Sequence, residues 1–197
     1  MKRRRFLIVL LLLIFGVLGV TSLAIFPKFL GPVALEAPKD AMTKNSEWSL
    51  LVDGFVQRSL NLTFNELVAM PRSTVDAVLY CVDAPNYSLA KGNWTGVRLG
   101  LILEKTGVSP EVEKVAFYAK DGYTTDLTVK TAMRDDVIIA YERDGKPLPE
   151  KLRLVVPGKW GYKWISQVIR IELVNYDFKG VWESRGYSDE ADIPSNP

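Results

Sequence analysis

With 197 residues, 48% of them apolar, the chain is long enough for one globular domain with a hydrophobic segment attached to it. Its 25 basic residues face 23 acidic ones, but five of the basic residues (Lys2, Arg3, Arg4, Arg5 and Lys28) precede position 29, which leaves 20 basic against 23 acidic groups beyond it, a net charge of −3. That balance lacks the clustered Lys and Arg by which proteins hold nucleic acid, and the absence of histidine removes the commonest general base, the commonest zinc ligand and every Ser-His or Cys-His pair.

Residues 1–5 are a basic amino terminus, and residues 6–26 (FLIVLLLLIFGVLGVTSLAIF) follow with only Thr21 and Ser22 as polar side chains. A helix of 21 such residues crosses about 30 Å of hydrocarbon, and the preceding Lys2 and three arginines orient it with the amino terminus in the cytoplasm and the domain outside. A transmembrane anchor is the expectation. A cleaved signal peptide is the competing reading, although the run exceeds the usual apolar core and lacks a small-x-small cleavage site. Arg3-Arg4-Arg5-Phe6-Leu7 also resembles the core of a twin-arginine export signal, a route taken by proteins that fold around a cofactor before export.

Residues 27–47, with Pro27, Gly31, Pro32 and Pro38, read as a linker, and residues 48–197 as the domain. WSLLVDGFVQ is expected to be a strand, and Thr63-x-x-Glu66 is a capping box opening a short helix, FNELVAM, that Pro71 stops. Residues 73–81 alternate as a strand with Val75, Ala77, Leu79 and Cys81 on one face. Residues 82–96 are rich in loop formers and predict a long loop after the cysteine. Residues 99–106 predict a helix ended by Gly107, and strands follow at 113–119, 124–129, 137–142, 152–156 and 168–174, with turns at Asp121-Gly122 and Asp144-Gly145. Many strands with a few short helices give an α+β fold. The lone Cys81 has no partner for an intramolecular disulfide, so it is either an inert buried thiol or bound to something.

Seven patterns occur in order: VDG at 52–54, Cys81 at a strand end, GNWTGVRL at 92–99, DGYTT at 121–125, RLVVPGKWGYK at 153–163, RIEL at 170–173 and WESRGYSDEAD at 182–192. Together they resemble the molybdopterin-binding domain of the sulfite-oxidase family, over about residues 48–192. The resemblance implies a mixed, strand-rich sulfite-oxidase-like fold and a molybdenum-molybdopterin (Mo-pyranopterin) cofactor whose one protein ligand is the Cys81 thiolate, a soft donor suited to such a metal. It also implies that Arg153 and the residues after the Gly-Tyr-Lys motif, Trp164, Ile165 and Ser166, contact the cofactor. Lys159 and Lys163, around Pro157-Gly158 and Gly161, add positive charge for its phosphate.

The chain departs from the family pattern in three places. The His-Gly or Asn-Gly and the proline that many members place before the arginine are replaced by Leu148-Pro149-Glu150-Lys151-Leu152, and Ser166 stands where a lysine is usual. After the cysteine, where sulfite oxidases carry arginines for an anionic substrate, this chain has Val82-Asp83-Ala84-Pro85-Asn86-Tyr87. The implied function is therefore oxygen-atom transfer on a small substrate, sulfoxide-like rather than sulfite. Asp121 and Tyr123 are candidate catalytic groups, and Asp83 and Tyr87 further polar groups of the pocket. With no histidine and its one cysteine engaged, the chain has no haem or iron–sulfur site of its own, which calls for a separate electron carrier. The alternative is a cofactor-free binding or scaffold module, tethered to the membrane and keeping the fold.

Overall fold

The computed structural model describes residues 48–194, so the anchor and linker expected at 6–47 lie outside the described residues. No helix among the described residues is long and apolar enough to cross a membrane. Ten strands, β1 (Ser49–Gly54), β2 (Leu60–Thr63), β3 (Arg72–Cys81), β4 (Ala84–Arg98), β5 (Lys114–Ala119), β6 (Thr124–Thr128), β7 (Ile138–Arg143), β8 (Lys146–Pro147), β9 (Arg153–Val155) and β10 (Val168–Val174), form two sheets. The first has the order β2-β1-β10-β5-β6, with β1 and β10 parallel and its other pairs antiparallel. The second has the order β3-β4-β7-β8, with β9 also pairing β7, at Ile138–Ala140. Three short helices, α1 (Phe64–Val68), α2 (Leu99–Thr106) and α3 (Val129–Ala132), connect them. This is the strand-rich α+β architecture expected.

One apolar core draws on both sheets: Val52, Phe117 and Ile171 from the first, Leu79, Trp94, Ile139 and Leu154 from the second, and Ile102 and Leu103 from α2. Trp94 and Trp164 meet edge to face, with ring centroids 5.8 Å apart. Each buried indole N–H still finds an acceptor, Trp94 Nε1 at the Ala77 carbonyl (3.2 Å) and Trp164 Nε1 at the Lys159 carbonyl (3.1 Å). Burying these rings therefore leaves no donor orphaned.

Local signals place most elements. Thr63 and Glu66 form the capping box of α1 in both directions, and Gly107 ends α2 in the left-handed region. The expected strand at 124–129 stops one residue early, because the Thr128 side chain accepts from the Thr131 N–H and starts α3. The loop expected at 82–96 requires correction: it is most of β4, which returns along β3 with Cys81 opposite Ala84 and Arg72 opposite Val97. The glycine that signals a loop there instead permits close strand approach, since a Cβ at Gly96 would lie 2.1 Å from the Ile139 carbonyl oxygen of β7. The β3–β4 pairing shifts register between Leu79 and Tyr80 and again between Tyr80 and Cys81. The alternation that carries Ala77 and Leu79 into the core thus ends before Cys81, which lies half-buried at the hairpin turn.

Candidate functional site

Cys81 is a free thiol at the end of β3, separated from β4 by Val82 and Asp83. The Gly161–Lys163 turn closes on this strand end, and a Cβ at Gly161 would come within 2.6 Å of the Tyr80 carbonyl oxygen. Across the turn that follows Cys81, Tyr187 Oη donates to Asp83 Oδ1 at 3.3 Å. Tyr187 stacks edge-on against Trp182 (5.0 Å) and Tyr162 (5.7 Å). The Asp83 charge, with lesser help from burial and Cys81, holds the Tyr187 phenol above its ordinary range, so this wall presents a neutral hydroxyl at pH 7.

The residues expected at the cofactor take varied places. Tyr123 donates its hydroxyl to the Tyr162 carbonyl at 2.6 Å, and burial, followed by the Glu183 charge, pushes its pKa well up. Tyr162 in turn donates to the Ser188 carbonyl at 2.6 Å, and burial raises it to about 12. Tyr123 therefore supports the Gly161–Lys163 turn and offers its proton to that backbone. Asp121 sits exposed on the β5–β6 turn, accepting from the Tyr123 N–H at 3.0 Å, and no contact joins it to Cys81 among the described residues. Tyr87 is 67% exposed on β4.

The three cations are committed within the chain. Arg153 donates from Nε to Glu150 Oε1 (2.6 Å) and from Nη1 to the Trp164 carbonyl (3.0 Å). Lys159, at the Pro157-Gly158 turn, pairs with Asp192 (2.8 Å) and Glu190 (3.3 Å). Lys163, expected at the cofactor's phosphate, is fully buried and bonded to Glu183 Oε1 (2.6 Å) and Asp126 Oδ1 (3.1 Å). Trp164 and Ile165 bury their side chains in the core, and their carbonyls already accept from Arg153 Nη1 and the Leu154 N–H, whereas Ser166 is half-buried in a bridge to Arg153. The sequence signals above do not point to Tyr187, Asp126, Glu183 or Asp189. Tyr187, Glu183 and Asp189 stand in the WESRGYSDEAD segment, whose pattern carries the family resemblance but no local signal of a site.

A profile of the family described as "Oxidoreductase molybdopterin binding domain" matches residues 35–182. The chain belongs to this family. It is 32% identical over 151 residues, 75% of each chain, to the uncharacterized oxidoreductase YuiH of Bacillus subtilis. It is 29% identical over 147 residues to the putative protein-methionine-sulfoxide reductase subunit YedZ1 of Azospira oryzae, covering 73% of this chain and 55% of that one. Among solved structures it resembles the sulfane dehydrogenase SoxCD from Paracoccus pantotrophus, with a TM-score of 0.61 and 25% identity over 68% of this chain and 39% of that one. The chain thus spans three quarters of the Bacillus relative and about half or less of the other two. The resemblance drawn from the seven motifs holds at the level of the family, its molybdopterin cofactor and its oxidoreductase class.

The donor set fits that cofactor at its metal end. Cys81 is a soft sulfur donor, half-exposed, without a disulfide partner and placed at a strand end where a ligand can approach. An open cleft of about 420 Å³ runs along β3, lined by Asp76, Tyr80, Lys91, Pro157, Gly158 and Ile193, and Cys81 is not part of its lining. Cys81 would hold the metal, with the Gly161–Lys163 turn against the same strand end. The phosphate end would meet Lys159 and Arg153 only where they exchange carboxylate partners for phosphate.

Proposed function

We propose that the protein is a membrane-anchored, extracytoplasmic oxidoreductase that removes an oxygen atom from a small, uncharged, sulfoxide-like substrate and receives its electrons from a separate carrier. The observation that carries this reading is the half-exposed Cys81 thiol beside a neutral Tyr187 hydroxyl and the Asp83 carboxylate. When bound, the cofactor supplies two-electron oxygen-atom chemistry, which the side chains of this chain lack. Reduction of a sulfoxide consumes two electrons and two protons and yields a thioether and water. The chain's contribution is to hold the site and select the substrate. Asp83 at the mouth repels an anion such as sulfite, whereas Tyr187 can donate to a neutral S=O oxygen, and the rings of Trp182, Tyr162 and Tyr187 exclude water.

The anchor rests on residues 6–26 and their basic flank. A second reading, the cofactor-free module, is favoured by the chain's own carboxylates, which neutralise Arg153, Lys159 and Lys163. One experiment separates the two. The full chain is expressed in a host that builds molybdopterin, recovered from alkaline-washed membranes and analysed for metal and pterin. About one molybdenum per chain, lost in Cys81→Ser while the circular dichroism is kept, is the expected result. A metal-free wild-type chain from a competent host leaves only the module, and a chain found in the wash has no anchor.

A further inference from the structure

The segment that walls the Cys81 turn, residues 182–193, is attached in an unusual way. Among the described residues after Leu173, Val174 and Ala191 are the buried apolar side chains, and neither belongs to the main core cluster. Apolar docking, the ordinary way to hold a terminal segment, is confined here to Ala191 and to the Trp182 and Tyr187 rings, which meet each other and Tyr162. Backbone bonds from Trp160 to the Ala191 carbonyl (2.8 Å) and from Ile193 to the Gly158 carbonyl (3.0 Å) hold its far end, and charge holds its near end. Glu183, with a wholly buried side chain, accepts on Oε1 from Lys163 Nζ (2.6 Å) and Thr125 Oγ1 (2.7 Å). Lys163 also holds Asp126 of β6, whose other oxygen binds Lys114 Nζ of β5 at 2.7 Å. Lys114 reaches Asp189 of the same segment, which Lys179 binds as well at 2.9 Å.

The two ends of this network point in different directions. One is rooted in β5 and β6 of the first sheet. The other runs through the Gly161–Lys163 turn, which touches the strand of Cys81 at Tyr80, and through the segment that carries Tyr187 to Asp83. The family profile ends at Trp182, so Glu183, Tyr187 and Asp189 all lie beyond the matched stretch, whereas Lys163 and Asp126 lie within it.

We propose that Lys163 and Glu183 form a buried ionic latch that docks residues 182–193 over the Cys81 turn, making Lys163 a positioning residue for the substrate-facing wall. The meaning of that wall rests on the functional reading above, but the latch itself is measurable without cofactor. A buried pair that loses one partner leaves an uncompensated charge, whereas losing both costs far less. Breaking one half should therefore release the segment, and removing both halves should let it redock in part.

The test uses the full chain made in a host without molybdopterin, in four forms: wild type, Lys163→Met, Glu183→Gln and the double variant. The alkylation rate of Cys81 by iodoacetamide and the amide exchange of residues 182–193 are followed, with exchange in β5 and β10 as the fold control. Lys163→Met should speed alkylation at least about tenfold and strip protection from 182–193 ahead of the sheets. The double variant should lie closer to wild type than Lys163→Met does. Glu183→Gln, which keeps shape and spares Lys163 its Asp126 bond, serves if Lys163→Met does not fold. Alkylation unchanged in every folded variant, or sheets and segment opening together, overturns the latch. In cofactor-loaded protein, a rise in the KM for a sulfoxide with kcat largely retained is expected. A wild type that never takes molybdenum counts against the proposed function and leaves the alkylation and exchange results standing.

Discussion

Gly161 is the point where the turn carrying Lys163 touches the strand carrying Cys81, and Gly161→Ala tests how rigidly that contact is built. The added Cβ would sit 2.6 Å from the Tyr80 carbonyl oxygen and 3.3 Å from Leu79 Cδ1. Reaching an ordinary contact of 3.4 Å requires the turn or the strand to move by about 0.8 Å. The near atom belongs to backbone paired in a sheet, so the strain is not relieved by a rotamer change. Overpacking of this kind costs about 1–3 kcal/mol, and at this chain length each kcal/mol lowers Tm by roughly 2–4 °C. Gly100→Ala is the control. Gly100 lies within α2, where a Cβ meets nothing closer than the Met133 carbonyl oxygen at 3.5 Å. There alanine should stabilise by about 0.5–1 kcal/mol through lower unfolded-state entropy and better helix propensity. Urea unfolding of both variants, followed by tryptophan fluorescence, reads the two signs directly. A Gly161→Ala midpoint equal to or above wild type would refute the claim that the turn is pressed against β3.

Two further predictions use charge. Asp189 is held down to about 2 because hydrogen bonds from Lys114 and Lys179 outweigh the burial that works the other way, so its stabilising contribution is present above the usual aspartate value of 3.8 and is lost as pH falls towards 2. The stability gap between wild type and Asp189→Asn, from urea titrations at pH 2 to 6, should narrow over that window, and a constant gap would show that Asp189 is unpaired. Asp126, raised chiefly by burial, runs the opposite way and softens the acid loss in both forms. Arg153→Ala strips Glu150 and the Trp164 carbonyl of their donor and should cost about 1–3 kcal/mol in urea unfolding. Arg153→Lys should recover only part of that, because an ammonium cannot copy the two-donor fork. Wild-type stability in both variants would make Arg153 a free surface cation.

The strands whose residues alternate or run apolar, β5, β7 and β10, and the helices with explicit start and stop signals, α1 and α2, stand close to their predicted places because each signal is local. Segment 82–96 was misread because its glycines carry two meanings. A glycine is favoured both where the chain turns and where two strands pass too close for a Cβ, and only the pairing of β4 with β7 distinguishes them at Gly96. The short β2 and β8 carry too few residues for a period to appear.

The site divides along the same line. Cys81 and the glycine turn were legible because each is a rare residue type in a recognisable local pattern. The fate of the cations was not. Arg153, Lys159 and Lys163 lie within eleven residues of one another, which reads as a positive cluster open to a phosphate. In space each has an acid of its own, and the distance along the chain to that acid decides how visible the pairing is. Glu150 is three residues from Arg153 and could have been suspected from spacing alone. Glu183 and Asp126 stand 20 and 37 residues from Lys163, on elements that meet it only after both sheets have formed. Burial also changes what such a lysine can do. An exposed ammonium exchanges one anion for another at little cost, but one enclosed with carboxylates can leave them only by stranding their charges in a poorly solvated site. Lys163 therefore acts through the segment it holds, whereas Lys159, whose partners Glu190 and Asp192 remain largely in water, is the cation of the three best placed to exchange a carboxylate for a phosphate.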